Sequence, residues 1–150
     1  MKLLLKKLEF NRSAEDVADD YTYLSENDKE KIVNIDTKAT FDFENEYLNY
    51  MCYYLIDSKE WEKYQKVLDD NLISYICHDI SENVIKNVIN LEKILYKYVY
   101  RDNLEDYHDF IEITNEWIYD NLDLDTILDM INEKGIDSLR QIDKEFLKRV

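Results

Sequence analysis

The chain has no proline and a single glycine, Gly135, in 150 residues. Tight β-turns draw on Gly and Pro, and phosphate-cradling loops need glycine for close backbone approach. Their scarcity argues against a turn-rich β fold and a nucleotide-binding glycine loop. The two cysteines, Cys52 and Cys77, lack Cys-x-x-Cys spacing and are read as reduced, buried thiols. Long apolar runs are missing as well. Leu3-Leu4-Leu5 is broken at once by Lys6 and Lys7, too short for the core of a signal peptide or for a bilayer span. The expectation is a cytoplasmic protein with no membrane partner. Gly-x-Ser-x-Gly is also absent, and no motif assigns the chain to a family.

What is present is apolar surface and negative charge. With 45% hydrophobic residues the chain can bury a core and offset the entropy of folding, and its length fits one domain, residues 1–150. Helices joined by Asn, Asp and Ser connections are the natural architecture, so the fold class expected is mainly α, a compact helical domain. An α+β variant carries a small N-terminal β-hairpin or short sheet from residues 1–10 and 32–43, with 1–43 a small α/β part and 44–150 helical.

Ser13-Ala-Glu-Asp16 resembles a capping box, followed by Val17, Tyr21 and Leu24 at helical spacing. From Glu44 the period of 3.6 puts Leu48, Met51, Cys52 and Leu55 on one face of a helix ending near Asp57. A next helix, capped by Ser58, carries Trp61, Tyr64, Val67, Leu68, Leu72, Tyr75 and Ile76. Asp79-Ile-Ser-Glu82 suggests another cap before a helix from Val84 to Tyr98. Further helices follow from Asp102 or Asn103 towards Leu122, from Asp125 to Lys134 with Gly135 as its left-handed stop, and from Ser138 to Arg149.

The net charge of −15 is concentrated in residues 13–30 and 101–134. No Lys or Arg stands between Asp102 and Glu133. Glu105, Asp106, Asp109, Glu112, Glu116, Asp120 and Asp123 recur in steps of three or four, which keeps them on one helix face. Leu104, Tyr107, Ile111, Thr114, Ile118 and Leu122 fall roughly opposite. The bland reading is a solvated polar face, but such faces mix signs, because like charges at i, i+4 cost roughly 0.2 to 0.5 kcal/mol a pair. A rigid row of carboxylates can instead compete with phosphates for Lys and Arg in a basic groove.

The function expected is therefore an acidic inhibitor, a nucleic-acid mimic that blocks the basic groove of a bacterial defence nuclease in the manner of anti-CRISPR or anti-restriction proteins. Glu105, Asp106, Asp109, Glu112, Glu116, Asp120 and Asp123 would act as phosphate surrogates, supported by Asp16, Asp19 and Asp20. The partner expected is a protein with a basic surface, a nuclease or toxin. Direct nucleic-acid binding is opposed by the charge. Thirteen tyrosines suit interface anchors, with Tyr47, Tyr50 and Tyr54 read as a stripe along their helix and Tyr96, Tyr98 and Tyr100 as a second run. The alternative is an antitoxin or immunity protein against a cationic toxin. Basic ends, with Lys2, Lys6, Lys7 and Arg12 at one and Arg140, Lys144, Lys148 and Arg149 at the other, leave pairing with a second copy open.

Catalysis finds little. His78-Asp79 and His108-Asp109 are the dipeptides a metal-dependent hydrolase would use, but no third His completes the ligand set. Glu105-x-x-His108 is half of a di-iron spacing without its other half. A Cys₂His₂ zinc set from Cys52, Cys77, His78 and His108 lacks finger spacing. A small metal-dependent hydrolase using His78, Asp79, His108 and Asp109 is the second alternative; the leading expectation is no enzyme activity, cofactor or metal.

Overall fold

The computed structural model describes residues 2–150; position 1 of the expected strand 1–10 lies outside them. The chain divides into two compact units, one ending at Asp79 and the other spanning Ile80–Val150.

The first unit comprises β1 (Leu3–Glu9), α1 (Ala14–Thr22), α2 (Glu26–Val33), β2 (Thr37–Glu44), β3 (Tyr50–Asp57), α3 (Ser58–Asp70) and β4 (Ile76–Asp79). Its strands make one antiparallel sheet in the order β2-β3-β1-β4. Each helical connection therefore skips a strand, which is the ferredoxin-like, split βαβ arrangement, here with two helices in the first crossover. This corrects the mainly helical expectation: the fold is α+β. Nor are residues 1–10 and 32–43 a hairpin, because β3 lies between β1 and β2.

The misread element is β3. Cys52 and Ile56 face the helices, in a core with Leu8, Phe10, Val17, Leu24, Trp61 and Leu68. On its other face Met51, Tyr53 and Leu55 sit opposite Phe43, Phe41 and Ala39 of β2, and these too are buried. A strand buried on both faces reads as a continuous apolar run rather than an alternation, and period alone cannot separate such a run from a helix. Tyr50 and Tyr54 thus lie on the same face as Cys52, and Tyr47 is exposed in the turn before β3.

Two Ser-x-x-Asp sequences start the first crossover's helices. Ser13 accepts from the Asp16 backbone N–H at 3.1 Å and Ser25 from that of Asp28 at 3.1 Å. Asp57 rather than Ser58 caps α3. This helix stops at Asp70, short of the expected Ile76: Asn71 Nδ2 turns back to the Val67 carbonyl at 2.8 Å, and Leu72 takes a positive φ of 55°. Ile76 then enters β4.

The second unit is helical: α4 (Ser81–Ile85), α5 (Leu91–Tyr96), α6 (Leu104–Asn121), α7 (Leu124–Lys134), a 3₁₀ turn Ile136–Ser138, and α8 (Gln141–Arg149). The single helix expected from Val84 to Tyr98 is broken at Asn87, whose φ is 59°; Asn90 caps α5, whereas α4 has no side-chain cap. Arg140 ties α8 to α4. Its guanidinium donates to the Val84 and Ile85 carbonyls, which the end of a helix leaves unpaired, and to both oxygens of Asp143 at 2.9 Å. Gly135 ends α7 at φ 85°, ψ 161°, a conformation restricted to glycine. Among the described residues no helix is long and apolar enough to cross a membrane.

Candidate functional site

α6 forms because Tyr107, Phe110, Thr114, Trp117 and Ile118 recur at helical spacing and are buried together. This face is turned from the expected one: Leu104 is exposed and Ile111 only half-buried, while Phe110 and Trp117 take the interior positions. At about 100° per residue, Glu105, Asp109, Glu112, Glu116 and Asp120 share an arc of roughly 80° on the side away from the buried residues. All are exposed. Among the described residues none of them has an ion-pair partner. Asp106 is exposed at the margin of this arc.

The ridge runs about 22 Å from Glu105 to Asp120 at 1.5 Å per residue, with a carboxylate or two at each turn. Its last turn holds no basic residue, so Asp120 meets the negative end of the helix dipole without compensation from its own helix. Local stability does not account for this arrangement. Chemically it is a row of acceptors for lysine and arginine, spaced on the scale of a phosphate backbone.

Other expected surrogates have different roles. Asp123 lies past α6 and caps α7, accepting from the Thr126 backbone N–H at 2.7 Å; that hydrogen bond holds its carboxyl below the usual range. Asp20 is ion-paired with Arg12. Asp16 and Asp19 are exposed on α1. These α1 acids belong to the first unit and the α6 ridge to the second.

Under α1 and α3 runs a chain of protic side chains. The Tyr21 and Tyr64 hydroxyls are hydrogen-bonded to each other, Tyr64 to Tyr54, Tyr54 and Tyr50 to the Cys52 thiol, and Tyr50 donates to Asp42 at 2.8 Å. Burial pushes all of these hydroxyls above the ordinary tyrosine range and the Cys52 thiol up to about 12. They are neutral packing groups, not nucleophiles.

Cys52 and Cys77 lie on opposite sides of Leu8, each paired with it across the sheet. Two strand spacings, roughly 9.5 Å, separate them, beyond the approximately 7 Å Cα limit for a disulfide. Both are free, but only Cys52 is fully buried. His78 stands on β4 with Nε2 3.6 Å from Glu9, and His108 is exposed on α6. Among the described residues no three His, Cys, Asp or Glu side chains form a group able to hold a metal ion.

Sequence reasoning missed a cleft between α6 and α8. Tyr119, Ile142, Glu145 and Arg149 line it beside Glu112, Glu116 and Asp120 of the ridge. The steps Ile142, Glu145 and Arg149 were a visible helical signal, but nothing local announced which helix they would face. Compared with known proteins, the chain matches no family model, no curated protein and no solved structure.

Proposed function

We propose that the protein is an acidic inhibitor that docks the α6 ridge into the basic groove of a protein partner, a nucleic-acid-binding nuclease of bacterial defence, as an anti-CRISPR or anti-restriction protein does. The observation that carries this is the run of exposed carboxylates from Glu105 to Asp120, none of which has an ion-pair partner among the described residues. A surface held against its own repulsion is suited to a partner that supplies the missing positive charge. Such a nuclease groove tracks a phosphate backbone with Lys and Arg, and a rigid helix presents carboxylates to the same side chains without the entropy cost of ordering a flexible acidic tail. The site of action is the cytoplasm, and the role is occupation of the groove rather than catalysis.

A second reading, an immunity protein or antitoxin against a cationic toxin, draws on Tyr96 and Tyr100, which are exposed in the same unit and suit interface anchors.

Reversing Asp109, Glu112 and Glu116 together to Lys tests the ridge. Binding to the basic partner, followed by calorimetry, is expected to be lost and the circular dichroism spectrum retained. Unchanged affinity would remove α6 from the interface.

A further inference from the structure

We infer that the cleft between α6 and α8 is a seat for one arginine side chain of the basic partner, a seat whose aromatic ring is met in the free protein by Arg149 of the chain itself. This rests on the proposed ridge interaction and locates its most selective point.

The cleft measures about 320 Å³ and has Glu112, Glu116, Asp120 and Glu145 on its walls, with Tyr119 and Ile142 among the lining residues. It is thus not simply a patch of acids. It offers an aromatic ring framed by carboxylates, a combination suited to a planar cation that stacks on the ring while its edges donate to oxygens. Phe146 meets the Tyr119 ring edge-on at 5.7 Å between centroids, which fixes the ring plane. One guanidinium already meets this ring: that of Arg149 lies 5.6 Å from the Tyr119 ring centroid. Arg149 is exposed, at the end of α8, and has no ion-pair partner among the described residues. One ring contact is a weak hold.

A single guanidinium leaves the four lining carboxylates under-compensated, so the cleft still attracts positive charge with Arg149 in place. An incoming arginine carried by a basic groove gains the ring, the carboxylates and the neighbouring ridge together. Arg149 then swings to solvent. Lysine fits less well, because its ammonium is a compact, strongly hydrated charge that cannot stack or fork. The cleft therefore makes the ridge prefer arginine-bearing partners, and Arg149 acts as an internal competitor that lowers affinity for weak cations.

The test uses the full chain, titrated calorimetrically at low salt with blocked hexa-arginine and hexa-lysine peptides of equal charge. The wild type is expected to favour the arginine peptide about two- to fivefold, the size of an exposed cation–π contact. Tyr119→Leu should erase that preference and Tyr119→Phe, which keeps the ring, should retain it. Arg149→Gln should tighten arginine-peptide binding at least about twofold by removing the competitor. Melting curves check that each variant is folded. A preference that survives Tyr119→Leu, or weaker or unchanged binding in Arg149→Gln, overturns the arginine seat. A companion variant reverses Glu105, Asp106 and Asp109, outside the cleft, to Lys. If it loses both peptides while the cleft variants change nothing, the ridge stands and the seat falls; if the wild type binds neither peptide, both fall.

Discussion

Thr114 and Asp143 are both buried polar side chains of the second unit, and they differ in what meets them. Asp143 accepts from the Arg140 backbone N–H and from its guanidinium, so both of its oxygens are satisfied. Thr114 Oγ1 has no hydrogen-bond partner among the described residues. Breaking a buried pair strands the remaining charge, and Asp143→Ala is expected to cost about 3 to 5 kcal/mol. Removing an orphaned hydroxyl recovers its desolvation penalty, so Thr114→Val, nearly the same shape, should stabilise by about 1 kcal/mol. Urea denaturation of the two variants measures both; a destabilised Thr114→Val would mean that the hydroxyl is satisfied in solution. At this scale sequence spacing found the ridge acids but not their company. Asp20 stands eight residues from Arg12 and Asp123 three from Thr126, and spacing alone does not say that one is neutralised and the other capping.

Among the elements, those with a strong 3.6 period and a clear end were legible: α1 behind its Ser13 cap, α6 starting after Asn103 without a side-chain cap, α7 ending at Gly135. α2 was not, although Ser25-x-x-Asp28 repeats the cap of α1, because none of its residues is buried and the periodic signal is therefore faint. β1 and β2 show enough alternation to be found; β3 and β4 do not. β3 is apolar on both faces, and β4 is four residues long, shorter than a pattern needs to declare itself. The α6/α8 cleft was illegible for another reason, since it depends on which two helices pack together. The ridge is where element and function pull apart. Reversing Asp109, Glu112 and Glu116 makes position 109 attractive to Glu105 and Asp106 and position 116 attractive to Asp120, while positions 109, 112 and 116 repel one another as they did before. The triple variant should therefore melt no lower than the wild type while it loses its partner, and a difference in its favour should shrink as salt screens it.

For the whole molecule, the groups that resist ionisation set the alkaline limit. In the folded chain burial keeps Cys52 protonated up to about 12, against an ordinary 9.0, and holds Tyr21, Tyr50, Tyr54 and Tyr64 above an ordinary 10.0. The unfolded chain releases these protons at the ordinary values, so it binds fewer protons than the fold at high pH. The stabilisation is complete below about pH 9 and declines as pH rises beyond it, first through the thiol and then through the phenols. Thermal melts from pH 7 to 11 should show a plateau followed by a fall starting near pH 9, and the four buried phenols should add their share of the tyrosinate absorbance only as the chain unfolds. The same phenols bear on the alignment of the sheet. A strand that is greasy on one side only is kept in step by that side, because a slip of one residue would wet it. β3 is dry on both sides, so sliding it by one position exposes little new apolar surface. What such a slip would tear is the series of hydroxyls and thiol from Tyr21 to Asp42. Those polar atoms work as the notches of a key: they add little to the hold of the sheet, and they admit one alignment.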